Sequence, residues 1–289
     1  MNIALTGSSG LIGSRLLHDL KKMDHTVSCI SSSQSSPKDN IYSYDDMDAG
    51  NILLPIDCIV HLASINSEMH ASDIAAETAI TEQIIKGMKT MGCKKIIFFS
   101  TAKVYGDNSF ENIIFSESNP LAPSCPYSNA KILCENMISS SSNETSFDYL
   151  IFRMSPVLIG SSQSNIGKLF HLVEKGIPIP SFRAGDLNKR SFLSYEFLAK
   201  ILNTILQDAS HFSNETLNLS DPDTISTNKL LRDFASSIKK EVLIIYFPNF
   251  LFKAMLQVDK LQLILCRLFG NFQLSNARLL NKFNLKDID

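Results

Sequence analysis

The chain has 289 residues, and its 27 Lys and Arg against 29 Asp and Glu give a net charge of −2 at pH 7. This length suffices for one large α/β unit or for a main domain with a smaller lobe, and the charge gives no indication of nucleic acid or an anionic membrane as a partner. The six cysteines lack C-x-x-C or metal-type spacing, so we predict a reduced compartment and no metal site. Because the first strand starts at Ile3, we expect no signal peptide, no membrane insertion and a cytoplasmic protein.

Strand and helix patterns alternate through the first half of the chain. In chain order we predict a strand at Ile3–Leu5, a helix at Leu11–Met23, strands at Thr26–Ile30, Ile41–Tyr44 and Asp57–Leu62, a helix at Ser72–Met91, a strand at Lys95–Ser100, a helix from Tyr127 to about Ser140 and a strand at Asp148–Arg153. A serine run at 139–142 is taken as the end of the last helix. This alternation implies right-handed crossovers and a parallel sheet.

The alternation weakens beyond about Gly160, where prolines separate mixed segments. We therefore predict an α/β fold with a Rossmann-type, doubly wound parallel sheet in residues 1–160. A smaller C-terminal substrate-binding lobe is expected in residues 161–289, with some segments returning to the sheet. The apolar stretch Phe247–Phe272 carries scattered basic residues and fits a membrane surface or lobe core. We favour lobe core, around helices such as Leu256–Phe269.

The turn after the first strand carries three glycines, Gly7, Gly10 and Gly13, at the spacing G-x-x-G-x-x-G. A strand, such a turn and a helix N-terminus form an anion site in which backbone N–H groups and the helix dipole hold a dinucleotide pyrophosphate. Glycine is needed because a Cβ would block the approach of phosphate, or of strand to helix. By itself the motif also fits an ordinary strand–turn–helix.

Tyr127 and Lys131 are four residues apart, so they share one face of the predicted helix. A nearby ammonium lowers the pKa of a phenol, which makes Tyr127 a candidate general acid and base. Ser100 and Thr101 end a predicted strand, where a hydroxyl can bond a substrate oxygen, and Thr101 is our first choice for that role. A hydroxyl that only caps the next turn is the alternative. His61 lies in an apolar run and is interpreted as a core histidine.

These motifs occur in the order found in one family. The glycine turn, the segment 61–64 (HLAS), the segment 100–106 (STAKVYG) and Tyr127-x-x-x-Lys131 together resemble the extended short-chain dehydrogenase/reductases of the NAD-dependent epimerase/dehydratase family, which act on nucleotide sugars. The resemblance covers most of the chain, because the segment 188–192 (NKRSF) is similar to a later phosphate-contacting motif of the family. Lys103, within the segment 100–106, makes the chain most similar to one branch of this family. That branch contains the UDP-sugar 4-epimerases and UDP-4-keto-sugar reductases of polysaccharide biosynthesis.

The resemblance implies a role for each matching position. Tyr127 would exchange the proton of the sugar 4-hydroxyl, Lys131 would hold the nicotinamide ribose and lower the pKa of Tyr127, and Thr101 would bridge the 4-oxygen and the phenol. The implied cofactor-binding residues are Gly7, Ser9, Gly10, Leu11, Ile12, Gly13, Ser31, Ser32, Leu62, Ala63, Ser64, Tyr127 and Lys131. The implied substrate-binding residues are Ser100, Thr101, Asn165 and Arg190, the last through a charge-assisted bond to phosphate. The resemblance also implies a homodimer built on the helix at 72–91 and the helix from Tyr127.

The chain departs from the family pattern at several positions. Ser31 or Ser32 stands where an acidic residue would favour NAD and an arginine would favour NADP, so both cofactors stay open, with NAD favoured. Ala102-Lys103 replaces the Asp-Glu of the dehydratases, which argues against a 4,6-dehydratase. In the predicted helix Ser72–Met91, Glu77 replaces an asparagine that is common in the family.

We therefore expect an enzyme, most simply a 4-epimerase of a UDP-hexose or UDP-N-acetylhexosamine. An NAD(P)H-dependent UDP-4-keto-6-deoxy-sugar reductase is the close alternative, because the missing acid at Ser31 and Ser32 favours it. A non-catalytic dinucleotide-binding sensor is the third possibility. It is disfavoured because such proteins usually lack the Tyr–Lys pair, which this chain carries at Tyr127 and Lys131.

Overall fold

A seven-stranded parallel sheet lies at the centre of the fold. The computed structural model describes residues 1–32, 35–65, 69–159 and 165–284, with the backbone alone at 165, 166 and 209. The strands are β1 (Asn2–Thr6), β2 (Thr26–Ser31), β3 (Ile41–Ser43), β4 (Cys58–His61), β5 (Lys95–Thr101), β6 (Ile114–Phe115), β7 (Asp148–Met154), β8 (Val157–Leu158), β9 (Ile179–Ser181), β10 (Arg190–Ser191), β11 (Leu193–Ser194), β12 (Glu215–Leu219), β13 (Thr224–Ile225), β14 (Ile244–Tyr246) and β15 (Gln273–Leu274). The helices are α1 (Leu11–Lys22), α2 (Tyr44–Ala49), α3 (Ile74–Met91), α4 (Pro126–Thr145), α5 (Asn165–Glu174), α6 (Ala184–Leu187), α7 (Tyr195–Gln207), α8 (Thr227–Ser237), α9 (Asn249–Met255), α10 (Asp259–Phe269) and α11 (Ala277–Lys282).

The strand order in the central sheet is β12-β7-β5-β4-β1-β2-β3, and every neighbouring pair is parallel. The chain winds outward from β1 in one direction through β2 and β3, and in the other through β4, β5 and β7. This confirms the predicted doubly wound Rossmann-type α/β fold. In such sheets the ligand crevice lies outside the carboxyl ends of the strands at the point where the winding reverses, here between β1 and β4.

Both faces of the sheet are buried, so its central strands are apolar throughout. On one face Leu5 and Val60 join a cluster that includes side chains of α1, α7 and α11. On the other face Ala4 and Ile59 join a cluster with side chains of α2, α3 and α4. Burial of each large aliphatic side chain contributes about 2 kcal/mol of transfer free energy, which makes this sheet the rigid part of the fold.

The second half of the chain builds a smaller lobe and also returns to the central sheet. The lobe contains the paired strands β9 and β14 and a cluster of apolar side chains from α5 and α8. Strand β12 joins the edge of the central sheet beside β7, and α7 covers one face of that sheet. The predicted boundary at 160/161 lies outside the described residues and stays a prediction. Within the residues that the structure describes, no helix is long and apolar enough to cross a bilayer.

Helix α4 does not end near Ser140, and that prediction was wrong. The helix continues to Thr145, through the serine run. The hydroxyls of Ser140, Ser142 and Thr145 donate to backbone carbonyls three or four residues earlier. Because these hydroxyls find acceptors within the helix, the serines do not force the backbone into a turn.

Two further segments differ from their prediction. Helix α2, which begins at Tyr44, was not predicted; Ser43 and Asp46 form a capping box at its start, in which each side chain accepts from the other residue's backbone N–H. The helix expected at Leu256–Phe269 ends where predicted but begins only at Asp259, as α10, and Leu256 lies between α9 and α10. Buried residues of α10 are limited to Leu265 and Phe269, so the stretch Phe247–Phe272 is only partly lobe core.

Candidate active site

The glycine turn brings β1, α1 and β4 closer together than any side chain would permit. Gly7 has φ +73°, and a Cβ there would lie 2.8 Å from the backbone nitrogen of Ala63. A Cβ on Gly13 would lie 2.0 Å from the carbonyl oxygen of Gly7. The amide of Gly10 donates to that same carbonyl at 3.0 Å, which closes the turn. Glycine at these positions is therefore required by backbone packing.

The N-terminus of α1 is open to solvent at this turn. Gly10 is the N-cap residue, no side chain caps the helix, and its first turn has no acidic residue. Ser9, Gly10 and Leu11 are exposed, whereas Ile12 is half-buried. Free N–H groups and the positive end of the helix dipole make this a fitting site for a diphosphate.

The segment after β4 forms the opposite wall of the same crevice. The Thr6 hydroxyl accepts hydrogen bonds from the amides of Leu62 at 3.2 Å and Ala63 at 3.0 Å, which fixes the segment against β1. Ser64 Oγ is buried and has no hydrogen-bond partner in the described part of the chain. A buried hydroxyl without a partner is costly, and a bound ligand could satisfy it. Ser31 ends β2 and Ser32 follows it at the same edge of the sheet.

His61 belongs to the core, as predicted. Its Nδ1 lies 2.8 Å from Thr6 Oγ1, and its Nε2 lies 3.4 Å from Thr81 Oγ1. Burial, together with the nearby Lys131 ammonium, holds the pKa of His61 well below its usual value. The ring is therefore neutral and positions the segment after β4.

Three side chains with the predicted catalytic roles meet at the carboxyl edge of the sheet. Thr101 is the last residue of β5; its hydroxyl accepts a hydrogen bond from the Lys103 amide at 3.3 Å, and its side chain lies near the Tyr127 phenol at the start of α4. Lys131 follows one helical turn later, and its Nζ lies 5.8 Å from the centre of the Tyr127 ring. Strand β5 and helix α4 thus bring the hydroxyl, the phenol and the ammonium to one place.

Lys131 is held by a partner that the sequence did not reveal. Its Nζ lies 3.1 Å from Glu77 Oε1, and both side chains are almost fully buried. Glu77 Oε2 accepts a hydrogen bond from the amide of Ile65 at 2.8 Å, and the Phe98 ring lies 4.8 Å from the same Nζ. Glu77 was noted as a departure from the family pattern, but no spacing rule links it to Lys131, because helices α3 and α4 are brought together only by the fold.

The ionisation of the pair follows from burial and charge. Burial raises the pKa of Tyr127 and outweighs the Lys131 ammonium and the nearby Thr101 hydroxyl, which lower it. Lys131 lowers the pKa of Tyr127, as the sequence predicted, but the pKa as a whole is raised above its usual value. Burial lowers the pKa of Lys131, but Tyr127 and Glu77 together outweigh burial and leave it raised. Lys131 is therefore an ammonium at neutral pH.

Ser100, the second candidate hydroxyl, is engaged elsewhere. It is buried and donates a hydrogen bond to Glu135 on α4. The guanidinium of Arg153 holds the same carboxylate, with Nη2 at 2.7 Å from Oε2, and Arg153 Nη1 donates to the Tyr105 hydroxyl at 3.0 Å. This network leaves Thr101 as the hydroxyl that contacts Tyr127.

Arg190 is a half-buried cation without an anionic partner in the described residues. It lies in β10, with the centre of its guanidinium 5.1 Å from the Phe192 ring. Burial lowers its pKa to about 10, so Arg190 still carries its charge at neutral pH. A desolvated and unpaired arginine is suited to a phosphate group. Asn165 begins α5, but its side chain lies outside the described residues.

The family model for the NAD dependent epimerase/dehydratase family matches residues 3–220. The chain belongs to this family. Its sequence is 27% identical over 285 residues to a UDP-glucose 4-epimerase of Vibrio cholerae, covering 94% of this chain and 86% of that protein.

Solved structures of the same fold cover nearly the whole chain. A UDP-N-acetylglucosamine 4-epimerase from Bacillus cereus superposes with a TM-score of 0.77 at 16% identity, covering 98% of this chain and 92% of that one. A UDP-glucuronic acid 4-epimerase from Bacillus cereus in complex with NAD superposes with a TM-score of 0.75 at 17% identity, covering 100% of this chain and 94% of that one.

The residues present fit the dinucleotide expected of an NAD dependent epimerase/dehydratase. The open helix end at Gly10 suits the diphosphate, and the unpartnered hydroxyl of Ser64 lies on the opposite wall of the crevice. Tyr127 and Lys131 lie at the same edge of the sheet, on the first two turns of α4. The open helix end, the Ser64 hydroxyl and the Tyr127–Lys131 pair are all seen in the structure of this chain.

Proposed function

We propose that this chain is an NAD-dependent 4-epimerase that acts on a UDP-linked hexose or N-acetylhexosamine. The observation that carries the proposal is the convergence of Thr101, Tyr127 and Lys131 at the carboxyl edge of the sheet, beside the glycine turn. The names of the UDP-sugar 4-epimerases to which the chain is similar support the same activity. With this activity we also propose a cytoplasmic homodimer, with α3 and α4 in the interface, that serves polysaccharide biosynthesis.

The proposed cofactor site combines the backbone of one turn, residues at the ends of β2 and β4, and Lys131 of α4. The diphosphate would bind at the glycine turn and the start of α1, formed by Gly7, Ser9, Gly10, Leu11, Ile12 and Gly13. The adenosine would bind beside Leu62, Ala63 and Ser64, with Ser31 and Ser32 near its ribose. Lys131 would hold the nicotinamide ribose. When bound, the nicotinamide supplies a hydride acceptor and donor for C4 of the sugar.

Tyr127 would remove the proton from the sugar 4-hydroxyl and later return it. The Lys131 ammonium favours the phenolate form that must accept this proton, and it opposes the effect of burial on the Tyr127 pKa. Thr101, whose side chain lies near Tyr127, would bridge the phenol and the 4-oxygen. The hydroxyl pair thus holds the reacting oxygen while the proton moves.

The substrate side of the proposal depends on Arg190. Its half-buried guanidinium, which has no anionic partner in the described part of the chain, would bind the diphosphate of the UDP-sugar, with Asn165 near the same group. Turnover of UDP-glucose, UDP-N-acetylglucosamine and UDP-glucuronic acid, followed by separation of the 4-epimers, would identify the sugar.

The 4-keto-sugar reductase is the competing activity, and cofactor retention separates the two. An epimerase returns its hydride and keeps the cofactor, whereas a reductase must exchange the cofactor at each turnover. Denaturing the purified protein and identifying any released nucleotide tests this difference. Near-stoichiometric NAD supports the epimerase, whereas an empty protein that prefers NADPH would support the reductase.

We predict that Tyr127→Phe abolishes turnover, with a loss of about a thousandfold or more, because a group that transfers the proton is removed. NAD binding, measured by calorimetry, should stay unchanged because the ring and Lys131 remain. Tyr149→Phe is the matched control, because Tyr149 lies near the amino end of β7, away from the carboxyl edge, and should keep full activity. Normal turnover by Tyr127→Phe would refute the proposed mechanism.

A further inference from the structure

Exposed apolar side chains are concentrated in one stretch of the lobe. Twenty large hydrophobic side chains are exposed among the described residues, and eight of them lie between positions 243 and 264. They are Leu243, Ile245, Tyr246, Phe247, Phe250, Val258, Leu263 and Ile264. We name this stretch, extended to Arg267 at the end of α10, the α9–α10 surface. Exposed apolar side chains that gather in one region are candidates for an interaction site.

Helices α9 and α10 are apolar on both their inner and outer sides. Their inner sides pack around Phe182 in one small cluster, to which α9 contributes Phe252 and α10 contributes Leu265. On the outer sides Phe250 is 74% exposed, and Ile264 is 49% exposed. Both helices therefore carry apolar side chains outside the face that packs on the core, and these side chains have no apolar partner among the described residues.

Basic residues lie among the exposed apolar ones. Lys260, Leu263, Ile264 and Arg267 have the spacing i, i+3, i+4, i+7, so they share one face of α10, and all four are exposed. Lys253 is exposed on α9, three residues after Phe250. Within the described residues these three basic side chains form no ion pair.

The local charge also differs from that of the whole chain. The α9–α10 surface holds three basic residues and one acidic one, Asp259, in a chain whose net charge is −2. The positive charge is thus gathered where the apolar side chains are exposed. The partner that complements this surface is apolar and anionic.

We propose that the α9–α10 surface docks on an anionic phospholipid bilayer. Phe250, Leu263 and Ile264 enter the boundary between headgroups and acyl chains, while Lys260 and Arg267 contact the lipid phosphates. A second copy of the chain fits less well, because lysine is depleted from the apolar centre of protein interfaces. The helices lie along the membrane, in keeping with the absence of a spanning helix in the described residues.

This surface is joined to the candidate phosphate-binding strand. Phe272, three residues after α10, lies beside Arg190, and its carbonyl accepts a hydrogen bond from the amide of Ser191 at 2.8 Å. Docking would therefore hold the proposed phosphate-binding residue Arg190 close to the membrane surface. This consequence rests on the proposed function, whereas the docking itself does not.

The test is co-sedimentation of the full chain with vesicles. Vesicles of phosphatidylcholine alone are compared with vesicles of equal parts phosphatidylcholine and phosphatidylglycerol, at low and high salt. We expect binding to the anionic vesicles alone, weakened by salt. The double variant Lys260→Gln/Arg267→Gln should bind about fivefold more weakly for each charge removed. The triple variant Phe250→Ser/Leu263→Ser/Ile264→Ser should lose binding.

Controls separate docking from folding and from catalysis. Leu53→Ser, at a side chain 72% exposed outside the surface, should bind vesicles like the wild type. Tyr127→Phe should also bind like the wild type, so failure of the proposed function would leave this result intact. The proposal is overturned if the wild type ignores anionic vesicles or if the triple variant still binds them. It is equally overturned if ultracentrifugation shows self-association that the triple variant loses, without vesicle binding.

Discussion

At the scale of single residues, Glu77 is the feature that distinguishes this site. Its carboxylate pairs with the buried Lys131 ammonium at 3.1 Å and also holds the amide of Ile65. Its negative charge raises the pKa of both Lys131 and Tyr127. A buried ammonium without a partner is strongly destabilising, so Glu77 both stabilises the fold and sets the ionisation of the catalytic pair.

We predict that Glu77→Gln lowers the pKa of Tyr127 and costs about 3 kcal/mol of stability, because Lys131 loses its buried partner. The rising limb of the kcat/KM–pH profile should move to lower pH. Since the pKa of Lys131 is raised from its usual 10.5 in the folded state, the stability difference is complete at neutral pH and disappears only as pH rises above that value. Glu82→Gln, on the exposed side of α3, is the control. Identical pH profiles for the wild type and Glu77→Gln would contradict this role.

At the scale of elements, the turn between β1 and α1 is constrained by backbone atoms. The atom closest to a Cβ on Gly13 would be the Gly7 carbonyl oxygen, which cannot rotate away as a side chain could. The turn must therefore open if any other residue stands at Gly13. The same opening would displace the amides at the start of α1.

We predict that Gly13→Ala costs about 3 kcal/mol of stability, from overpacking against the backbone, and abolishes NAD binding. Gly92→Ala is the control: Gly92 has φ +69°, but a Cβ added there would meet no heavy atom within 4 Å. That variant should lose about 1 kcal/mol, from its left-handed backbone alone. Chemical denaturation and calorimetry measure both effects. Equal losses in the two variants would argue against a specific packing constraint at the turn.

At the scale of the whole molecule, Asn218 on β12 joins the central sheet to later segments. Its Oδ1 accepts from the Tyr105 hydroxyl at 2.8 Å, and its Nδ2 donates to the carbonyls of Phe115 and Ser275, each at 3.1 Å. The same tyrosine contacts Arg153 in the network below the active site. One buried amide therefore connects the sheet edge with β6 and with the chain after β15.

We predict that Asn218→Ala costs about 3 kcal/mol, because three hydrogen bonds made by one buried amide are lost at once. The melting temperature should fall clearly, and the kcat of the remaining folded protein should change little because Asn218 does not contact the catalytic side chains. Asn129→Ala, an exposed position on α4, serves as the control and should melt like the wild type. A melting temperature equal to that of the control would show that this amide is dispensable.

Much of the fold and part of the site followed from local sequence patterns. The strands and helices that wind about β1 were predicted because each buried strand is a continuous apolar run and each helix has its own periodicity. The glycine turn and the Tyr127–Lys131 pair were visible because their spacing is set by one turn or one helix. The end of α4 was misplaced, because serine hydroxyls bonded within the helix instead of breaking it. The roles of the site residues, the cofactor and the dimer stay predictions.

The sequence by itself determined the family motifs, the order of the strands along the chain and the residues of one helix face, since all of these depend on neighbours in the chain. Only the tertiary structure decided that Glu77 meets Lys131 and that Ser100 turns to Glu135, because those contacts join elements that are distant in sequence. It also decided that the apolar residues of α9 and α10 remain exposed. The periodicity of a sequence shows which faces of a helix are apolar. Whether each of those faces is buried depends on how the rest of the chain packs around the helix.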